Sequence, residues 1–301
     1  MRSNLINWIL LIILSAIWGG AFPLNKEALR EFAPEIIVAG RLILGSAILF
    51  LIILIIKRKI KFDFSHVYYF LFMSIVGIVF PFILIAYGQK NIDSSLAGIL
   101  MSIMPISTLI LSHFFLNDEQ ITRRKFIGFL LALIGIIILL LPNTNNLTEQ
   151  DSQILFSEIL VIFGAIFYSA AAVYGKKYKI TDPLSASAGT ILFSAIIMFI
   201  YLTLFFEIEH SYTKILLSQP ILLLGVFCTA FATILYFYIL QTVGATFLSI
   251  MNYLIPVWSI IFGIIFFNEQ VLWNYYIGLL IIIFGIQISQ KDIYLRYGRK
   301  I

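Results

Sequence analysis

The sequence EQITRRKFIGFLLALIGI at residues 119–136 returns in altered form as EQVLWNYYIGLLIIIFGI at residues 269–286. An offset of 150 residues aligns the Glu-Gln pair and two glycines of each stretch. At offsets of 150 or 151, aromatic, lysine and proline positions also align, and these pairs are Trp18 with Tyr168, Lys26 with Lys176, Tyr87 with Tyr238, and Pro105 with Pro256. The repeat therefore extends over most of the chain, and the pattern predicts one structural unit present twice.

The composition indicates a membrane protein. Of 301 residues, 61% are hydrophobic and 12% are charged, whereas a soluble domain has about half its residues apolar and about a quarter charged. The net charge of +5 does not indicate a nucleic-acid partner, because the basic residues lie in short clusters between apolar runs. The single cysteine, Cys228, excludes an intrachain disulfide and a cysteine metal cluster. We expect no metal and no cofactor.

Apolar runs of the length needed to cross a bilayer recur along the chain. They predict ten transmembrane helices, at 5–25, 34–56, 66–89, 93–115, 123–141, 154–174, 183–206, 217–240, 244–267 and 271–290. The polar stretch PNTNNLTEQDSQ at 142–153 is the longest polar connector and is interpreted as a linker. The predicted units are therefore a first five-helix repeat, 1–141, and a second, 154–301, which ends in a short basic tail.

The positions of lysine and arginine predict the orientation. If the N-terminus is cytoplasmic, the predicted cytoplasmic segments carry 15 of these residues and the outer segments carry 4, while Arg41 lies within a span. Cytoplasmic loops of inner-membrane proteins carry this excess. The pattern predicts a multi-pass protein of the bacterial inner (plasma) membrane with both termini in the cytoplasm.

An odd number of spans in each repeat has a geometric consequence. The second unit must enter the membrane from the opposite side, so a pseudo-two-fold axis in the membrane plane relates the units. Inverted repeats of this kind are typical of secondary transporters. The predicted fold class is thus an all-α integral membrane protein, with ten transmembrane helices arranged as two inverted five-helix repeats around a central cavity.

Four stretches carry a resemblance to a known family: WGGAFPLNK at 18–26, PEIIVAGR at 34–41, NDE at 117–119 and GATFLSIMNYLIPVWSIIFGIIFFNE at 244–269. Their order and spacing resemble the EamA-type branch of the drug/metabolite transporter (DMT) superfamily over essentially all ten spans. The resemblance implies a ten-helix fold with a central cavity, and the movement of small metabolites such as amino acids. The function expected is alternating-access transport of a small amphipathic organic solute, with export as the expected direction.

The candidate cavity residues are prolines in the middle of helices and the aromatic or polar side chains near them. A proline inside a helix removes a backbone hydrogen bond and usually bends the helix. In lipid, the freed carbonyl group needs another partner, which favours bends that face protein or water. The candidates are Trp18, Tyr87, Ser102, Pro105, Tyr168, Tyr236, Tyr238, Asn252, Tyr253 and Pro256. Packing kinks and an interfacial aromatic belt are the alternatives.

Two further residues are candidates because they are ionisable. Arg41 lies within the second span and is a functional candidate by default; it could contact a substrate carboxylate, pair with Glu31 or Glu35, or reach the outer surface. His113 could relay protons. No acidic residue is expected deep in a span, and Glu119 and Glu269 are expected to cap the helices that follow them. The sequence thus gives no clear proton-coupling site.

Other functional classes fit the sequence less well. An enzyme would need convergent catalytic residues, but the three histidines are assigned to different helix ends and the HExxH pattern is absent from the sequence. We therefore expect the protein not to be an enzyme. A membrane-bound binding or sensor protein remains the alternative. The expected partners are a small-molecule substrate and the lipid bilayer.

Overall fold

The computed structural model describes residues 2–58, 60, 63–116, 122–139, 149–178, 183–206, 212–242, 248 and 251–297. These residues form helices and no strand, as the hydropathy pattern predicts. The helices are α1 (Arg2–Ala28), α2 (Pro34–Ile56), α3 (Phe64–Gly88), α4 (Ser94–Phe115), α5 (Arg123–Leu139), α6 (Glu149–Lys177), α7 (Pro183–Phe205), α8 (Gln219–Leu223, Leu224–Phe231 and Ala232–Thr242), α9 (Met251–Phe267) and α10 (Trp273–Tyr297). A short helix, Tyr212–Leu217, precedes α8.

Seven helices are long and apolar enough to cross a membrane: α1, α2, α3, α4, α6, α7 and α8. Shorter apolar helices, Leu254–Phe267 and Trp273–Gly285, lie within α9 and α10. The chain is therefore a multi-pass membrane protein, while the count of ten spans stays a prediction. Two bounds differ most from those expected: α6 begins at Glu149, inside the predicted linker, and α10 continues to Tyr297, through much of the expected basic tail.

Local chemistry explains several helix ends. Pro34 occupies the first turn of α2, where its missing N–H costs nothing. The carboxylate of Asp63 accepts a hydrogen bond from the backbone N–H of His66 at 3.0 Å and caps α3. Lys57 and Asn268 adopt left-handed backbone conformations, with φ of 56° and 51°, where α2 and α9 end. Asparagine tolerates that conformation better than most residues do.

Matching π-helical segments occur in α3 and α8. Ile75–Val79 forms one and Leu224–Phe231 the other. The offset of 150 residues superposes the first segment on the second. A π-helical turn shifts the side chains that follow it and often marks a functional site. The local irregularity is therefore repeated along with the sequence.

Helices α5 and α10 pack through the glycines that the repeat aligns. A Cβ atom added to Gly135 would lie 2.8 Å from the carbonyl oxygen of Gly278, and one added to Gly285 would lie 2.6 Å from that of Gly128. The two contacts correspond through the repeat. At the offset of 150 residues, Gly135 aligns with Gly285 and Gly128 aligns with Gly278. Small residues permit this close helix approach in membranes. The glycines that the repeat aligns are therefore packing positions between α5 and α10.

At each end of the helix bundle, a different set of side chains holds neighbouring helices together. We call one the polar end, defined by Asn25, Lys26, Gln89, Ser94, Ser95 and Glu269. We call the other the aromatic end, defined by Tyr69, Phe72, Tyr174 and Tyr178. The C-terminal part of α3 and the start of α6 lie towards the polar end, whereas the start of α3 and the end of α6 lie at the aromatic end.

Candidate functional site

Side chains from five helices meet in what we call the central cluster: Trp18 (α1), Arg41 (α2), Phe82 (α3), Tyr168 (α6), and Thr229 and Tyr236 (α8). The side-chain contacts are pairwise: Arg41 with Thr229 and Phe82, Phe82 with Tyr168, and Trp18 with Tyr236. Two cavities, of about 630 and 580 Å³, lie elsewhere: one beside the connector between α1 and α2, the other between α2 and α7. The central cavity therefore stays a prediction.

Arg41 is the charged member of the cluster, and it is 6% exposed. Its Nε donates a hydrogen bond to Thr229 Oγ1 at 3.2 Å, and its guanidinium carbon lies 3.9 Å from the centre of the Phe82 ring. A cation over an aromatic face gains about 2 kcal/mol when both are removed from water. Among the described residues, Arg41 has no carboxylate partner, so its charge remains available to an anion.

The two acidic residues considered as partners for Arg41 are occupied elsewhere. Glu35 accepts a hydrogen bond from the hydroxyl of Tyr87. Glu31 forms an ion pair with Lys214 at 2.6 Å. Arg41 therefore points into the bundle and does not reach the surface.

Trp18 joins α1 to the π-helical segment of α8. Its indole N–H donates to the carbonyl oxygen of Cys228 at 3.2 Å, and the Cys228 thiol donates to the carbonyl oxygen of Ile17 at 3.3 Å. The Trp18 and Tyr236 rings lie 5.5 Å apart. Thr229, next to Cys228, donates to the carbonyl oxygen of Leu224 and so is held where Arg41 can reach it. The π-helical segment thus builds one wall of the cluster.

Tyr168 forms the opposite wall, with its ring 6.4 Å from that of Phe82. The next residue, Ser169, donates to the carbonyl oxygen of Met104 at 2.9 Å, which ties α6 to the bend in α4. Pro105 cannot donate to the carbonyl oxygen of Met101. A 3₁₀ turn supplies the Met104 N–H to that oxygen instead. The carbonyl oxygen of Met101 is therefore hydrogen-bonded within the protein, and the place of Pro105 beside a cavity stays a prediction.

Ser102 lies in the same turn and is 1% exposed. Its hydroxyl has no hydrogen-bond partner among the described residues. Buried hydroxyl groups are usually paired, so an orphan is a candidate for contact with a bound solute. The role of Ser102 in a cavity stays a prediction.

The second proline, Pro256, is buried inside α9. It leaves the carbonyl group of Asn252 without its usual helical donor. The Asn252 side chain is partly buried and has no hydrogen bond to a described residue. The side chain of Tyr253 lies outside the described residues.

Three other candidates lie apart from the central cluster. Tyr87 is 37% exposed and contacts Glu35, and Tyr238 is 47% exposed. His113 is exposed near the end of α4, with its ring 5.4 Å from that of Phe114. These positions fit the interfacial alternative better than the cavity.

Glu269 does not cap the helix that follows it, so that expectation is wrong. Its carboxylate reaches the start of α4, where it accepts hydrogen bonds from the backbone N–H of Ser94 at 2.8 Å and of Ser95 at 2.9 Å. The hydroxyl groups of both serines donate to it as well. Four donors and the positive end of a helix stabilise the carboxylate charge. Glu119 lies outside the described residues.

Lys26 completes the polar end. Its ammonium group donates to the carbonyl oxygens of Gln89 at 2.9 Å and Ile92 at 2.8 Å. Gln89 also binds Asn25 and Phe22 of α1, so α1 is fastened to the connector between α3 and α4. Partial desolvation, and next the negative charge of Glu269, raise the pKa of Asp93 above its ordinary value.

Comparison with known proteins identifies the family. The profile of the EamA-like transporter family matches the chain twice, over residues 6–141 and 155–289. The chain belongs to the EamA-like transporter family. The resemblance seen in the sequence is thereby confirmed.

Several relatives of this EamA-like family member carry transporter names. An uncharacterized transporter of Bacillus subtilis, YoaV, is 27% identical over 92% of this chain and 94% of its own length. The S-adenosylmethionine/S-adenosylhomocysteine transporter of Chlamydia muridarum is 24% identical over 87% of this chain and 85% of its own length. A solved crystal structure matches 94% of this chain and 96% of its own with a TM-score of 0.67 and 16% identity, which shows a shared fold alone. Family and relatives point to a transporter rather than an enzyme.

Proposed function

We propose that this protein is a secondary transporter that moves a small organic solute across the bacterial inner membrane by alternating access. The solute carries a carboxylate or another anionic group on an apolar body, as an amino acid or a similar amphipathic metabolite does, and the direction is export. The observation that carries the proposal is the buried Arg41, which stacks on Phe82 and lacks a carboxylate partner among the described residues. A solute anion would supply that partner.

The proposed architecture is ten transmembrane helices in two inverted repeats, 1–141 and 154–301, joined by a linker at 142–153, with both termini cytoplasmic. The reciprocal glycine contacts between α5 and α10 support it, because a two-fold axis would exchange them. The paired π-helical segments support it as well. Two such units, packed around one site, could rock to open it to either side.

The walls of the central cluster support an amphipathic solute. Trp18, Tyr168 and Tyr236 offer apolar ring faces together with polar N–H or O–H groups. Ser102 and Asn252 add hydroxyl and amide groups that lack partners among the described residues. Sites for small molecules combine apolar walls with a few such polar groups.

The first experiment identifies the solute and then measures its flux. Metabolite profiling of cells and medium, with the protein overproduced and absent, gives the substrate. Flux is then measured in proteoliposomes for the wild type, Arg41→Ala and Arg41→Lys. Losing a charged hydrogen bond of about 2 kcal/mol is expected to raise KM by about tenfold or more in Arg41→Ala. Arg41→Lys keeps the charge and is expected to lose less.

The same flux assay includes a control variant and can also give results that contradict the proposal. Arg30→Ala removes an exposed arginine that pairs with Glu27, and it is expected to leave flux unchanged. Trp18→Ala and Asn252→Ala are expected to impair flux while membrane insertion stays intact. Unchanged flux in Arg41→Ala would remove the site proposal, and solute binding without flux would favour a sensor.

A further inference from the structure

Glu158 is an acidic residue inside the apolar span predicted at 154–174, a few residues from its start. This glutamate lies in α6, within the apolar stretch Asp151–Lys177, and is 5% exposed. Its carboxyl group forms no hydrogen bond and no ion pair with any residue that the structure describes. Burial of an uncompensated carboxylate is costly, and such a group normally becomes neutral by taking up a proton.

We propose that Glu158 is a proton-binding site that links the polar end of this protein to the pH of its surroundings. The proton site itself does not depend on the solute. Its consequence for flux rests on the proposed transport function.

Two other carboxyl groups, those of Asp93 and Glu269, lie at the same end of the bundle as Glu158. Tyr275 of α10 is buried and interacts electrostatically with Asp93, Glu158 and Glu269 together. Among the described residues, no lysine or arginine is placed to offset a charge on Glu158.

The positive charge and the hydrogen-bond donors described at this end interact with Asp93 and Glu269, which are two of its three carboxyl groups. Lys26 interacts with Asp93 and with Glu269, and four donors from Ser94 and Ser95 are directed at Glu269. Beside Glu158, the amide of Asn91 donates to the hydroxyl of Ser157 instead. In the part of the chain that the structure describes, Glu158 is thus the carboxyl group left without compensation.

The bound species is a proton rather than a metal ion. Within the described residues, no group of three or more histidine, cysteine, aspartate or glutamate side chains is placed to hold a metal. The carbonyl oxygens of Gln89 and Ile92, which could ligate a cation, already bind the ammonium group of Lys26. The raised pKa of Asp93, which is exposed in the connector before α4, is consistent with a proton shared between this end and the solution.

Position along α6 connects this site to the central cluster. Glu158 and Ser169 are 11 residues apart, which is about three helical turns, or about 16 Å. They lie on one face of α6, and Ser169 binds the bend in α4. Deprotonation would place an unbalanced charge at a buried position in the first half of α6, which favours opening this end to water. Proton uptake therefore favours the closed polar end seen here.

The test reads protonation directly. Infrared difference spectra of the full-length protein in lipid nanodiscs are recorded across a pH titration for the wild type, Glu158→Gln and Glu27→Gln. The wild type is expected to keep a carboxylic-acid C=O band above about pH 5.5, where an ordinary glutamate with a pKa of about 4.3 is ionised. The band should be lost in Glu158→Gln and kept in Glu27→Gln, which removes an exposed, ion-paired carboxylate.

A wild-type spectrum identical to that of Glu158→Gln would overturn the proposal. A band that survives in Glu158→Gln but disappears in Asp93→Asn would overturn it too. In proteoliposomes, the pH dependence of flux is expected to be lost in Glu158→Gln. If the wild type shows no flux at all, the infrared titration still tests the proton site, so failure of the transport function and failure of the proton site remain distinguishable.

Discussion

The polar end and the aromatic end hold the same kinds of helices together with different chemistry. At the polar end, Glu269 and Lys26 direct charge at backbone groups of neighbouring segments. At the aromatic end, Tyr174 of α6 stacks on Phe72 of α3 with ring centres 3.9 Å apart. Repetition thus reproduces the helix packing but not the contacts at its ends.

The polar end should be the more sensitive to a single substitution. Glu269→Ala removes the acceptor for four donors and leaves the N–H groups of Ser94 and Ser95 unpaired. We expect a loss of about 3 kcal/mol in the free energy of unfolding, since hydrogen bonds to a charged group are strong and orphaned donors are costly. Denaturant titration of the purified protein in micelles measures it. Glu27→Ala, at an exposed ion pair, is the control, and equal losses in both variants would contradict the role given to Glu269.

The shared scaffold between the two ends is tested by the glycines of α5 and α10. A methyl group at Gly135 would lie 2.7 Å from Ile282 Cγ1, and one at Gly285 would lie 2.9 Å from the backbone N of Ala132. Overpacking of this kind costs about 2 kcal/mol, so Gly135→Ala and Gly285→Ala should destabilise the protein equally. Gly175→Ala has room, with Tyr69 Oη at 3.6 Å, and serves as the matched control in the same titration. A large effect at one glycine only would argue against the two-fold relation.

The aromatic end should tolerate change better. Tyr174→Ala loses ring contacts to Tyr69, Phe72 and Tyr178, at a cost of about 1 kcal/mol beyond the lost apolar area. Tyr174→Phe keeps the rings and should retain wild-type stability, which makes it the control. A loss in Tyr174→Ala that exceeds the loss in Glu269→Ala would reverse the contrast between the two ends.

The smallest effect is expected at the exposed cap of α3. Hydrogen bonds from the Ser65 hydroxyl, then from the side chain and backbone N–H of His66, lower the pKa of Asp63. A depressed folded-state pKa stabilises the protein above the unfolded value of about 3.9, and that contribution is lost as the pH falls below it. The thermal unfolding temperature of the wild type should therefore fall slightly below about pH 4, and Asp63→Asn should remove that fall. Ser65→Ala, which deletes one donor, should reduce the effect without abolishing it.

Much of the fold follows from the sequence because hydropathy, charge asymmetry and the repeat are properties of the chain itself. Of the cluster members, Trp18, Tyr168, Tyr236 and Arg41 could be chosen because an aromatic pair aligned by the repeat or an intramembrane charge is a visible signal. Phe82 could not, since phenylalanine is common throughout the chain and its place under Arg41 depends on tertiary packing.

The features that the sequence did not reveal share one physical cause, which is that they depend on tertiary packing. Glu269 was assigned to the adjacent helix because capping is usually local in sequence, whereas the structure brings it to α4 from 174 residues away along the chain. Glu158 lies only a few residues inside its predicted span, and hydropathy does not reveal that its side chain is buried. The π-helical segments lack a strong sequence signal, although their repetition in α3 and α8 becomes visible once the structure is known.

The inverted arrangement is tested most directly by the sidedness of its connectors. Single cysteines at Arg30, Lys57, Lys176 and Lys214, all exposed, can be labelled in intact cells with a membrane-impermeant maleimide, since the native Cys228 is buried. We expect positions 30 and 214 to react from outside and positions 57 and 176 to react only after the membrane is permeabilised. Reaction of 57 and 176 from opposite faces would contradict two five-helix units of opposite orientation.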